Sequence, residues 1–257
     1  MRLSRRQSLK RVMAAASIPP VALSARHNSP TPVRLVVLDV GGTIIEDRGN
    51  VPEVLRRSLA HHGIESTPEE INRWRGASKR EMIRHFVNQQ SLPANADREK
   101  LTAGIYDEFT AEIIAVYRSI PPIAGAEEAI RKLRQSGYLV ATTTGFDRAV
   151  TVAIFDRLDW KKYFVATICS DDVAQGRPSP FMLFHAMEAA RINSVAEVVA
   201  VGDTPLDLQA GTNAGLRAVV GVLSGASSAE SLRREPHTHI LASVANLPAL
   251  LASKFRV

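Results

Sequence analysis

Five short runs of this chain, at residues 33–39, 138–143, 163–168, 196–202 and 217–222, are apolar almost without interruption and rich in Val. A strand with one wet face would alternate apolar and polar residues, so runs of this kind predict strands covered on both faces. Longer helical patterns lie between them. Such alternation predicts an α/β fold with a doubly wound parallel sheet. At 257 residues and 45% apolar composition the chain is long enough to bury such a core, and with only 5% aromatic residues that core must be mainly aliphatic.

The first two runs lie about a hundred residues apart, far more than one crossover helix needs. Residues 52–63, 68–75, 78–90 and 97–117 in that gap read as helices, with breaks at Gly63, Gly76 and Pro93. Asn50 and Thr67 are the expected N-caps, each ahead of an acidic first turn. The expectation is an all-helical cap over 49–118, inserted after strand 1 into a core domain of 33–48 and 119–257. Pro121-Pro122-Ile123-Ala124-Gly125 returns the chain to an amphipathic helix at 126–136, which Gly137 closes. Ser179 before Pro180 predicts a further N-cap with Pro in the first helical position.

Residues 1–30 are set apart from the rest. The first 38 residues hold seven of the 32 Lys and Arg and none of the 26 acids, so the formal charge of +6 arises there and the remainder is near neutral. A nucleic-acid binder would keep its basic patch on the folded body, and none is expected here. Arg5-Arg6, Leu9-Lys10 and the Ala-rich stretch after them resemble a twin-arginine export signal, with Ser8 where a large apolar residue usually stands. The expectation is an exported, periplasmic protein. The alternative is a disordered basic tail or transit peptide, with a cytoplasmic location in the former case. Past this segment no stretch suits stable membrane insertion. The lone Cys169 excludes an internal disulfide and reads as a core residue. His61, His62, His85, His237 and His239 lack metal-ligand spacing and read as surface or packing residues.

In an open parallel sheet the loops at the carboxyl ends of the strands converge on one crevice. The first run ends in Asp39, followed by Gly41, Gly42 and Thr43; the second ends in Thr142-Thr143-Thr144-Gly145. The third leads to Ser170-Asp171-Asp172 and then Gly176-Arg177-Pro178, and the fourth to Gly202-Asp203-Thr204-Pro205-Leu206-Asp207. An unpaired buried carboxylate is costly, so these acids need partners. The set fits a phosphoryl group. Asp39 and Asp203 can share a hard divalent cation. Thr144, the amides around Gly41 to Thr43 and Arg177 can hold phosphoryl oxygens, and Asp39 can attack phosphorus. Asp171 and Asp172 read as loop acids that orient Arg177.

With LDVGGT at 38–43, TTGF at 143–146, GRPSPFM at 176–182 and GDTPLDLQAGTNAG at 202–215, the chain resembles the haloacid dehalogenase (HAD) superfamily from about residue 33 to 250. Within it, the phosphonatase-like branch is the nearer resemblance. That resemblance implies a HAD-like core with Asp39 as nucleophile and Mg2+ ligand. The Gly41 carbonyl and Asp203 would be further ligands, Asp207 would order the metal site, and Thr144 and Arg177 would bind the phosphoryl group. Gly42, Thr43, Gly145 and Lys79 would contact substrate. In the branch a cap lysine near the position of Lys79 forms a Schiff base with an aldehyde; in other capped members a basic residue there only contacts the substrate. Both readings stay open, because Met82 and Phe146 stand where the branch carries His and Tyr. Gly41 occupies the position where most superfamily phosphatases have a second Asp as general acid.

The function implied is a Mg2+-dependent phosphohydrolase that forms an aspartyl-phosphate. Its substrate would be a small organophosphorus compound, with P–C hydrolysis of phosphonoacetaldehyde as the first reading. A phosphomonoesterase, for instance one like phosphoglycolate phosphatase, is the second, and a non-catalytic phospho-ligand binding protein the reading of another class. A homodimer is left open, and the export machinery is a partner only if residues 1–30 are a signal.

Overall fold

A computed structural model describes residues 31–93 and 95–255, and the expected export signal lies outside the described residues. Six strands form one parallel sheet: β1 (Leu35–Asp39), β2 (Leu139–Thr143), β3 (Ala166–Ile168), β4 (Val198–Gly202), β5 (Ala218–Val222) and β6 (His239–Leu241). Their order is β3-β2-β1-β4-β5-β6. β1 lies between β2, with Asp39 opposite Thr143, and β4, with Leu38 opposite Val201. The chain winds outward from β1 to β3, then returns to β4 and winds the other way. This reversal beside β1 is the switch point at which doubly wound sheets bind ligands.

The apolar runs explain this placement. Leu35 and Val37 join Ala141, Val198 and Ala200 on one face, under Met182 and Ala186 of α7 (Phe181–Ala189). Val36 and Leu38 face the opposite core, with Ile130 of α5 (Ala126–Gln135) and Ile154 of α6 (Arg148–Leu158). Both faces of β1 are dry, so a non-alternating run is what a strand at this position requires. β3 is shorter than expected, because Lys161–Tyr163 form a 3-10 turn and Phe164 packs its ring 5.0 Å from Phe155.

Between β1 and α5 the chain is helical: α1 (Asn50–His61), α2 (Pro68–Asn72), α3 (Lys79–Gln89) and α4 (Arg98–Tyr117). This is the inserted helical cap. Its apolar residues Ile83, Phe86, Phe109 and Ile113 belong to the same buried cluster as Val36 and Leu38. Two caps differ from expectation. Asn50 is the first residue of α1 and Gly49, at φ 81°, is its N-cap; Pro180, not Ser179, caps α7. Thr67 does cap α2, through a reciprocal box with Glu70. α2 ends three residues earlier than expected, at Asn72. The remaining helices are α8 (Pro205–Asn213), α9 (Ala229–Arg233) and α10 (Leu247–Lys254). Among the described residues, no helix is long and apolar enough to cross a membrane.

Candidate active site

Asp39, Asp203 and Asp207 come together although 168 positions separate the first from the last. Each is buried, and one carboxylate oxygen from each lies within 4.8 Å of the others. Each is placed by local sequence. Asp39 ends β1, Asp203 follows β4, and Asp207 is held by a capping box with Thr204 at the start of α8. The Thr204 amide and hydroxyl donate to Asp207 Oδ2 at 3.0 and 2.6 Å. Asp203 Oδ2 accepts from the Ala226 amide at 2.7 Å, and its Oδ1 from the Thr43 hydroxyl at 3.4 Å.

Arg177 crosses the group. Its Nη1 lies 2.7 Å from Asp39 Oδ1 and 2.9 Å from Asp207 Oδ1, and its Nη2 donates to the Thr143 hydroxyl at 2.7 Å. The expected orienting acids take no part, since Asp172 pairs with Arg148 and Asp171 accepts from the Arg148 amide. Three buried carboxylates face one guanidinium, so two negative charges lack a partner within the trio. The acids respond accordingly. Burial first, then the charge of Asp207, lifts Asp39 to about 6 in spite of Arg177. Burial and then the charges of Asp39 and Asp207 push Asp203 well above the ordinary carboxylate range. Three oxygen donors with excess negative charge suit a hard divalent cation, and Mg2+ meets that description.

A cavity opens over Asp39 and Asp203. Asp39, Gly41, Thr144, Gly145, Arg177 and Asp203 line it from the core, and Lys79, Met82, Arg75, Gly76 and Tyr117 from the helical insertion. Two expected contacts are absent from the lining. The Gly42 amide donates to the Ile45 carbonyl at 2.7 Å, and the Thr43 hydroxyl is turned to Asp203. Gly42 has a different use. At φ +82° it lets the backbone pass Asp203, where a Cβ would lie 2.4 Å from Oδ2. The Thr144 hydroxyl accepts from the Phe146 amide at 3.1 Å, which leaves its own proton available.

Lys79 opens α3 and is buried, with Nζ donating to the Ala77 carbonyl at 2.8 Å and lying 5.4 Å from the centre of the Phe146 ring. Burial, reinforced by the positive charge of Arg177, lowers its amine to about 8. Such desolvation beside a second cation is one of the ways in which a lysine becomes a nucleophile. The cap loop before it is held close, since a Cβ on Gly145 would lie 2.5 Å from the Ala77 carbonyl.

Sequence reasoning missed Tyr117 and the Asp47–Arg75 pair, 3.3 Å apart, all of which line the cavity. Tyr117 ends an apolar stripe with Phe109 and Ile113 and so looks like core; Arg75 is the neighbour of the helix-breaking Gly76. The histidines behave as surface and packing residues. His61 and His62 both bond Glu108, and His85 lies against Trp74. Cys169 is buried, and burial pushes its thiol up to about 11.

Comparison with known proteins gives a consistent result. The family model for haloacid dehalogenase-like hydrolases matches residues 33–215. Phosphonoacetaldehyde hydrolase of Bacillus cereus is 30% identical over 211 residues, covering 76% of this chain and 77% of that protein. A phosphonoacetaldehyde hydrolase-like protein from Oleispira antarctica has a crystal structure similar to this one, with a TM-score of 0.77 at 23% identity, covering 90% of this chain and 95% of that one. A putative phosphoglycolate phosphatase from Lactobacillus plantarum is similar at a TM-score of 0.70 and 16% identity, covering 85% of this chain and 99% of that one. At these identities the two structures speak for the fold.

Proposed function

This chain belongs to the haloacid dehalogenase-like hydrolases, and we propose that it is a Mg2+-dependent phosphonatase which cleaves the P–C bond of a small phosphonoaldehyde such as phosphonoacetaldehyde. One observation carries the choice of bond: a lysine amine depressed to about 8 shares a cavity with the Asp39 carboxylate. The similarity to phosphonoacetaldehyde hydrolase supports it.

The neutral Lys79 amine condenses with the aldehyde, releasing water and leaving an iminium. Asp39 attacks phosphorus through one carboxylate oxygen while Arg177 holds the other. The P–C bond breaks as the Asp39–phosphorus bond forms, and its electron pair moves into the iminium to give an enamine. Protonation of the enamine carbon gives an iminium, whose hydrolysis releases the aldehyde without its phosphorus and the free lysine; water at phosphorus releases phosphate and returns Asp39. Thr144 and the remaining donors of Arg177, which line the cavity, would hold phosphoryl oxygens. Asp39, Asp203 and the Gly41 carbonyl would hold Mg2+, with Asp207 fixing the surroundings, and the ion would offset repulsion between the carboxylate and the phosphoryl group.

Phosphomonoester hydrolysis is the second reading, favoured by Met82 and Phe146, which line the cavity but carry no proton where the branch has His and Tyr. Borohydride added during turnover of phosphonoacetaldehyde separates the two. The expected result is a reduced adduct on the Lys79 peptide. Phosphate release from 2-phosphoglycolate without any such adduct would remove the P–C reading.

A further inference from the structure

We propose that the Tyr117 hydroxyl is the hydrogen-bond donor to the organic half of the substrate, in the space toward which a side chain at Gly41 would point. This rests on the reading of the protein as an Asp39-dependent phosphohydrolase, and it applies whether a P–C or a P–O bond is broken.

Tyr117 is the last residue of α4 and lines the cavity, with 2% of its surface exposed. Its ring is held edge-on to Phe146, centroids 5.2 Å apart at 75°. Among the described residues that hydroxyl has no hydrogen-bond partner. Tyr106, on the same helix, shows the usual outcome: its hydroxyl donates to Asp147 Oδ2 at 2.6 Å. A buried phenol that bonds nothing in the protein but borders a cavity is a donor left for whatever enters.

Its position gives it a task. A Cβ built on Gly41 would lie 3.8 Å from Tyr117 Oη and 3.7 Å from Phe146 Cε2, ordinary contact distances. Residue 41 therefore points at the phenol, and as glycine it presents no acid of its own. Negative charge develops on the leaving alkoxide as a P–O bond breaks, or, in the P–C reading, on the aldehyde oxygen as the Lys79 amine adds to it before water is lost. A tyrosine, ordinarily protonated at neutral pH, can bond that oxygen without giving up its proton.

The test is the leaving-group dependence of Tyr117→Phe, which keeps the ring. Phosphate release is measured in Mg2+ with phosphonoacetaldehyde, 2-phosphoglycolate and p-nitrophenyl phosphate. For the better natural-type substrate of the first two, kcat is expected to fall about a hundred-fold, the loss typical of one donor to a developing charge. With p-nitrophenyl phosphate, whose phenolate leaves unaided, it is expected to hold. Gly41→Asp in the Tyr117→Phe background is expected to restore part of the loss. An equal loss on every substrate, or no loss, with wild-type turnover intact, overturns the role of Tyr117 alone. A wild type that releases phosphate from none of the three overturns the functional reading and this inference together.

Discussion

Lys79 and Asp39 illustrate how one environment acts in opposite directions on two groups. Burial disfavours charge, so it lowers the amine to about 8 and raises the carboxylate to about 6. Because the amine must be neutral to attack a carbonyl, borohydride trapping at Lys79 is expected to rise as pH rises through about 8 and then level off. An ordinary lysine would go on gaining reactivity to about pH 10, and that profile would contradict the assignment. The acids were legible in the sequence because each stands at or shortly after the carboxyl end of a strand, a position that topology turns into a place in the crevice. Tyr117 was not legible. Four residues after Ile113 and eight after Phe109, it has the spacing of a core residue, and only tertiary structure shows that its polar end is left over.

At the scale of elements, the cap loop before α3 brings Lys79 to the core through two glycine contacts. Gly76 has φ +85°, and a Cβ there would lie 2.5 Å from the Thr204 hydroxyl. Gly145 meets the same loop from the other side. Gly76→Ala is therefore expected to push the loop off the β4–α8 turn, at a cost of about 1–2 kcal/mol from the backbone conformation alone. Melting should fall and phosphate release should drop by at least about ten-fold, as small misplacements of catalytic groups commonly cost that much. A variant with both properties unchanged would show that the loop does not position Lys79. Strand positions were readable because runs buried on both faces do not alternate, whereas ends moved with local contacts. Phe164 leaves the β3 run for an aromatic contact, and Gly49 rather than Asn50 carries the backbone into α1.

At the scale of the molecule, the sheet concentrates negative charge at its switch point and the fold tolerates it. Asp39 ordinarily ionises near 3.8 but is held at about 6, so between these values the metal-free folded chain binds more protons than the unfolded one. Its stability should then fall as pH rises through that window and stay low above it. A divalent cation bound there would offset the repulsion. Mg2+ is thus expected to raise the melting temperature more above about pH 7 than below about pH 5, where protonated acids no longer bind it. Equal shifts at both pH values in a melting series would argue against the trio as the metal site. The doubly wound topology was legible from the alternation of runs, and the inserted cap from the long gap after β1. The pairing of Arg177 with Asp39 and Asp207 was not, because no spacing rule links residues brought from three separate strand ends.

The most direct measurement is phosphate release in Mg2+ from phosphonoacetaldehyde and 2-phosphoglycolate by the wild type and by Asp39→Asn. The wild type is expected to release phosphate from at least one of them, and the variant to lose more than about a thousand-fold of that rate, as enzymes deprived of their nucleophile do. A folded Asp39→Asn protein that turns over at the wild-type rate would contradict an aspartyl-phosphate at this position.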